Sequence, residues 1–519
     1  MAPPTPLLQL LPDETARGDT YTRRRPEETV FYQTIAEHWP RFRERMENEG
    51  GLPKFVVREF DQYLDCGILE RGCLLLECRH CGHRELVGLS CKCRGFCPSC
   101  IGRRMADTAV HLEREVLPEV PIRHWICSLP WGLRALLGYD KELCAGALSA
   151  FVVELSRSLK WRAKKEYGLT SVAHALTGAV ASVQRVDSGL RLNVHYHLLA
   201  LDGVYVRQDP SNSQSPLVFR RLPTPTRAEV AEVARRTAQR VEKLLQTHGR
   251  SLDPEQTDTE PAPLQLEHPA LAACYDAAAL GVVVSGDRAG QPTLRLISSD
   301  TTAPAPGESL DDPIAEVSGL SLYAKQVVHG RDRQQVERLC RYITRPPVAQ
   351  DRLSRRPDGT LQLELKNPWK DGTRALVLSP DDLLVRLCAS IPPPRFHLIR
   401  YFGVLSSHSS LRSDVVPQPP HDDCAHRPPP AAGDQLELLG ELQGDAAKAP
   451  RHRWAWLLAH VFQADLEHCP KCRGPMRWVE AAKTPEAAAR LMAEQGMAPT
   501  PLRPPPSVAL EQLRLPFDT

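Results

Sequence analysis

The stretch Arg191-Leu-Asn-Val-His195-Tyr-His197-Leu-Leu199 decides the fold. Its polarity alternates with the period of a β-strand. Leu192, Val194, Tyr196 and Leu198 point one way as a core face, and Arg191, Asn193, His195 and His197 point the other. Two imidazoles two residues apart on a strand share a side, about 7 Å apart along the chain, and can chelate one ion. The upstream run Ala179–Val186, followed by Asp187-Ser188-Gly189, reads as the other arm of a hairpin. With a two-residue loop Ser188-Gly189, Gln184 pairs with Asn193 and sits on the histidine face, diagonal to His195. A three-residue loop turns it to the other face. Gln184 is the candidate third ligand, and two imidazoles plus an amide oxygen leave positions open for water and phosphate.

Further along, Arg333–Thr344 (RQQVERLCRYIT) reads as a helix stopped by Pro346-Pro347, with Val336, Leu339, Cys340 and Ile343 as its buried stripe. Tyr342 falls beside that stripe, on the side of Arg338 and Arg345, with Arg341 next to it. Guanidinium groups near a phenol stabilise phenolate and phosphorane charge, which suits a phosphodiester. A tyrosine at the edge of a core is the plainer reading.

Upstream of the histidines, eight of the sixteen cysteines lie between Cys66 and Cys100. Cys78-Arg-His-Cys81 and Cys97-Pro-Ser-Cys100 are two C-x-x-C knuckles fifteen residues apart, a spacing that predicts one structural zinc site. Cys91 is a possible alternative ligand, and Cys66, Cys73, Cys93, His80 and His83 are spare donors. Arg79, Arg84, Lys92, Arg94, Arg103 and Arg104 make this module cationic, a surface suited to phosphates. Another knuckle, Cys469-Pro-Lys-Cys472, has no partner pair nearby, and His468, His452, Cys424 and His426 are possible completions.

The whole chain has 519 residues, 42% of them apolar, and a net charge of +2 from 65 basic and 63 acidic residues. That excludes wholesale disorder and a uniformly cationic coat, so any nucleic-acid site is a local patch. No apolar run approaches the roughly 20 residues that span a bilayer, and no basic signal segment begins the chain. The chain reads as soluble and cytoplasmic. Its 47 prolines point to long irregular connections. The expected division is a helical segment 1–65, a zinc-binding module 66–110, an α+β domain 111–413 with an insertion at about 205–315, a proline-rich linker 414–450, a C-x-x-C module 451–480 and an unstructured tail 481–519. In this domain an antiparallel sheet is flanked by helices.

Together these motifs resemble the rolling-circle transposases of the insertion-sequence ninety-one family, in particular the ISCR-like branch. The matching stretches include CRHCGHRELVGLSCKCRGFCPSCIGRRMADTAVHL, NVHYHLLALDGVYV, LCRYITRPPVAQDRLS, LELKNPWKDGTRALVLSP and HCPKCRGPM, in order from about residue 60 to 480. The resemblance implies an HUH endonuclease, a fold in which His195 and His197 hold Mg²⁺ or Mn²⁺ and Tyr342 is the nucleophile. It also implies a structural Zn²⁺ in the N-terminal module, with Cys93 standing outside the ligand set. Two-tyrosine members carry a partner four residues before the nucleophile. Arg338 stands there, so the chain resembles the single-tyrosine branch. The implied partner is single-stranded or hairpin DNA at element ends, contacted by Arg94, Arg103, Arg104, Arg338, Arg341 and Arg345. No membrane and no nucleotide cofactor are called for, and no G-x-x-x-x-G-K-[ST] motif occurs. Rival readings are a replication initiator or relaxase with the same chemistry, and a non-catalytic zinc regulator of DNA.

Overall fold

The computed structural model describes residues 19–20, 24–251, 263–297, 311–369, 371–417, 464–465 and 468–498. At its centre is an antiparallel sheet. Its strands run in the order Ile314–Val317, Leu320–Tyr323, Ile122–Ser128, Leu192–Leu201, Gly178–Val186 and Ile399–Gly403, and Val327–Val328 also pairs with Ile122–Ser128. The fold is α+β: the strands of this sheet pair antiparallel throughout, and helices cover both of its faces.

One face carries Trp125, Cys127, Ala181, Val183, Val194, Tyr196 and Leu198, packed on the helices Lys141–Tyr167 and Arg227–Thr247. The second of these is fixed at its start by a capping box between Thr226 and Glu229. The opposite face carries Ile122, Val180, Leu199 and Leu201. It closes against Ala109, Leu112 and Val116 of the helix Pro98–Glu115 and the stripe Val336, Leu339, Cys340 and Ile343 of the helix Arg333–Ile343. Those two helices also touch each other, through an ion pair of 2.7 Å between Arg333 and Glu113.

The N-terminal helices Val30–Asn48 and Lys54–Asp65 bury Phe31, Ile35, Trp39, Phe42 and Phe60 in an aromatic cluster, with Trp39 stacked on Phe60 at 4.0 Å. This core also includes Leu271, Tyr275, Leu363, Leu384 and Leu387, so the two described helices of the expected segment 1–65 are not separate from the rest of the chain.

The structure redraws three other boundaries. The expected insertion at 205–315 is part of the domain. Its helix Arg227–Thr247 roofs the sheet, and its helix Pro269–Leu280 packs on Pro380–Ser390. Residues 468–482 are no separate module. The strand Met476–Ala482 joins Cys73–Cys78 and Arg84–Gly88 in a three-stranded sheet. Nor is the tail unstructured from 481. A helix Pro485–Glu494 folds back and buries Ala488, Leu491 and Met492 against Leu69, Leu75 and Leu86. The linker beyond 417, residues Cys424, His426 and His452, and the tail beyond 498 lie outside the described residues.

Candidate active site and cysteine clusters

The hairpin Gly178–Val186/Leu192–Leu201 closes through three residues, not two. The N–H of Asp187 donates to the Arg191 carbonyl, and Leu190 takes a left-handed φ of 59°. Continued regularly, that register would turn Gln184 away from the histidines. A bulge restores it. Val186 pairs with Leu192 and Gln184 with His195, so Asn193 and Val194 together face Arg185. Gln184 therefore lies directly opposite His195 on the histidine face, and the expected pairing with Asn193 is corrected.

His195 and His197 are buried, with ring centres 5.0 Å apart. Nδ1 of His195 donates to the Asn193 carbonyl at 2.7 Å, which leaves Nε2 with its lone pair. Nδ1 of His197 lies 2.8 Å from Nε2 of a third histidine, His124, whose Nδ1 lies 3.2 Å from Gln326 Oε1. Only one proton arrangement satisfies the whole row with neutral rings. His124 donates to Gln326, His197 donates to His124, and Nε2 of His197 keeps a free lone pair. That Nε2 is buried with no hydrogen-bond partner. Burial holds His124 and His195 down at about 4 and His197 well below its ordinary value, so all three are neutral at pH 7. Gln184 spends its amide nitrogen on the carbonyls of Tyr342 (3.3 Å) and Ile343 (3.0 Å), and its oxygen remains an acceptor. Two imidazole nitrogens and an amide oxygen on one face fit a divalent cation.

The same two hydrogen bonds, with that of Ser182 Oγ to Ile343 O (2.7 Å), dock the end of the tyrosine helix on the histidine strands. The Tyr342 ring centre comes within 5.7 Å of His197 and 6.0 Å of His124. Arg345 and Lys366 lie 4.6 and 4.7 Å from the same ring. Nη1 of Arg345 is buried and unpartnered, and so are Nε and Nη1 of Arg134, whose charge is felt at His195. Burial first, then Arg345 and Arg352, draw the Lys366 ammonium down to about 8. Histidines, phenol and cations thus converge on one face. Sequence reading missed His124, Arg134 and Lys366. Lys366 lies inside the conspicuous stretch LELKNPWKDG, but nothing there marks it as a neighbour of Tyr342.

The expected cationic contacts divide. Arg94 and Arg104 are exposed on the module. Arg103 instead turns Nη2 onto Cys100 Sγ at 3.3 Å, and Arg341 is held by Glu337 at 2.7 Å.

The cysteines form two groups, not one. Cys66, Cys91, Cys97 and Cys100 hold their sulfurs within 4.8 Å of one another, and so do Cys78, Cys81, Cys469 and Cys472. The two knuckles read as one site belong to different sites, with Cys66 and Cys91 completing one of them. Cys93 stands outside both, its thiol donating to Gln62 Oε1. Four thiolates at these separations suit tetrahedral Zn²⁺.

Comparison with known proteins agrees with this arrangement. A family described as a putative transposase matches residues 178–412, which hold the histidine hairpin and the tyrosine helix. A family described as a transposase zinc-binding domain matches residues 34–129. The class is therefore that of transposases, enzymes that act on DNA. The transposase for insertion sequence element IS801 of Pseudomonas savastanoi pv. phaseolicola is 25% identical over 411 residues, 78% of this chain and 80% of that protein. No solved structure matches. The two family matches and this relative support an IS91-family transposase with an N-terminal zinc-binding module. Among the described residues no helix is long and apolar enough to cross a membrane.

Proposed function

We propose that this transposase works as a single-tyrosine HUH nuclease, nicking and rejoining one DNA strand at element ends in rolling-circle transposition. What carries the reading is the approach of one phenol, Tyr342, to a pair of neutral imidazoles whose Nε2 atoms are free.

Tyr342 Oη attacks the scissile phosphorus. The bond to Oη forms as the P–O3′ bond breaks, the phenol loses its proton and the departing O3′ gains one. The products are a 5′-phosphotyrosine and a free 3′-OH, so the phosphodiester energy is kept for rejoining. Mg²⁺ or Mn²⁺, held by Nε2 of His195, Nε2 of His197 and the Gln184 oxygen, would supply positive charge to the non-bridging oxygens. Arg345 and Lys366, beside the Tyr342 ring, would stabilise the negative charge that develops as the phenol attacks. Single-stranded or hairpin ends are the substrate this reading calls for, as the family resemblance implies.

The test is metal dependence on labelled single strands. Zinc-loaded protein should not cleave without added Mg²⁺ or Mn²⁺. His195→Ala with His197→Ala should lose cleavage by at least about 100-fold while keeping DNA affinity, since affinity rests on cationic contacts elsewhere. Cleavage at the wild-type rate by the double variant would remove the histidines from the chemistry.

A further inference from the structure

The strand and knuckle near the C-terminus close onto a hairpin almost four hundred residues earlier in the chain, and neither matched family extends to them. Cys78 and Cys472 sulfurs are 3.4 Å apart, and those of Cys81 and Cys469 are 3.6 Å apart. A disulfide needs about 2.05 Å. A tetrahedral tetrathiolate zinc with bonds of about 2.3 Å sets its sulfurs about 3.8 Å apart, which these pairs approach.

Backbone N–H groups already face the sulfurs as they would a thiolate. His80 and Cys81 donate to Cys78, Lys471 donates to Cys469 and Gly474 donates to Cys472, at 3.4–3.5 Å. The two knuckles interlock closely. A Cβ at Gly474 would stand 2.6 Å from His80 Nδ1, so only glycine fits there. Beside them, Arg79 N–H donates to the Pro475 carbonyl, and Glu77 bridges Arg84 and Arg477.

The apolar part of this junction is small. Among the described residues, Ala482, Ala488, Leu491 and Met492 meet Leu69, Cys73, Leu75 and Leu86, and little else there is buried. A unit that size cannot bury enough surface to hold its own fold and characteristically relies on a metal.

We propose that Cys78, Cys81, Cys469 and Cys472 bind a second zinc ion, separate from that of Cys66, Cys91, Cys97 and Cys100. This ion clasps the strand–helix unit 476–494 onto the N-terminal hairpin. The two sites then differ in kind. The first is built into the core that carries the helix Pro98–Glu115. The second is a staple between two distant pieces of chain, so its loss frees one end without dismantling the centre.

The experiment uses the full chain with a specific protease site placed within 418–450. Wild-type protein should contain two zinc ions per chain, and after cutting, the C-terminal fragment should still co-elute with the body. Cys469→Ser with Cys472→Ser should bind one zinc and release the fragment on cutting. Cys66→Ser with Cys97→Ser should also bind one zinc but retain the fragment, which separates the clasp from general zinc loss. Cobalt substitution gives a readout independent of stability, with two equivalents of tetrathiolate absorption in wild type and one in each variant. One metal per chain in the wild type would overturn the proposal. So would a Cys78–Cys472 or Cys81–Cys469 disulfide in non-reducing peptide mapping, or a fragment that stays bound in the Cys469/Cys472 variant.

Discussion

His124 makes His197 a better-defined donor than its own strand position could. Without a partner at Nδ1, the imidazole would share its proton between two nitrogens and could turn. The row Gln326–His124–His197 fixes both the tautomer and the ring plane. Replacing His124 by Gln keeps a polar side chain of similar size but breaks that row. The apparent affinity for Mn²⁺ in the cleavage reaction should fall by about 10–100-fold, and saturating Mn²⁺ should restore much of the rate. An unchanged Mn²⁺ titration would show that His124 only fills space. His195, His197 and Tyr342 stood out in the sequence only as candidates, two imidazoles on an alternating strand and a phenol beside a helical stripe, and it was the family resemblance that offered them roles. His124 did not stand out. Every residue of its strand Ile122–Ser128 is buried, so no alternation marks the face it occupies. Gln184 was legible as a candidate, though its pairing was not, because two deviations cancel: the three-residue loop and the bulge at Asn193-Val194.

The helix Pro98–Glu115 joins the first cysteine cluster to the helix that carries Tyr342. Its first turn holds Cys100, in the cluster with Cys66, Cys91 and Cys97, and its last turns pack on the tyrosine helix. A zinc module that only docked DNA would leave chemistry intact when damaged, and the sequence, which places it apart from the histidines, suggests as much. The packing argues otherwise. Cys97→Ser should lower bound zinc by about one equivalent, and it should also reduce cleavage at saturating DNA, because the helix that supports Tyr342 loosens with it. Wild-type cleavage at saturating DNA would separate the module from the active site. The tyrosine helix itself was readable from its apolar spacing: Val336, Leu339, Cys340 and Ile343 are all nearly inaccessible to solvent, as its period requires. Which elements pack together was not readable. The contact of Pro98–Glu115 with Arg333–Ile343 joins residues more than two hundred positions apart, and nothing local encodes it.

Over the molecule, the same long-range pairing governs the cysteines. Spacing alone joined Cys78–Cys81 to Cys97–Cys100, since a C-x-x-C finds its nearest neighbour first. The fold pairs Cys78–Cys81 with Cys469–Cys472 instead, because the strand Met476–Ala482 completes the sheet beside them. The order of parts was legible, and their spatial partners were not. The proposed reaction, the capture of one DNA strand on Tyr342, would unite the parts, the sheet supplying the imidazoles and its covering helix the phenol. The most direct measurement mixes the protein with Mn²⁺ and a labelled single strand carrying the element's end, then maps the covalent adduct by peptide mass spectrometry. The account predicts a 5′-phosphotyrosyl peptide containing Tyr342, a free 3′-OH on the released fragment, and no adduct from a folded Tyr342→Phe variant. An adduct that forms in that variant at the wild-type level, or that maps to Tyr323 or Tyr401, would contradict it.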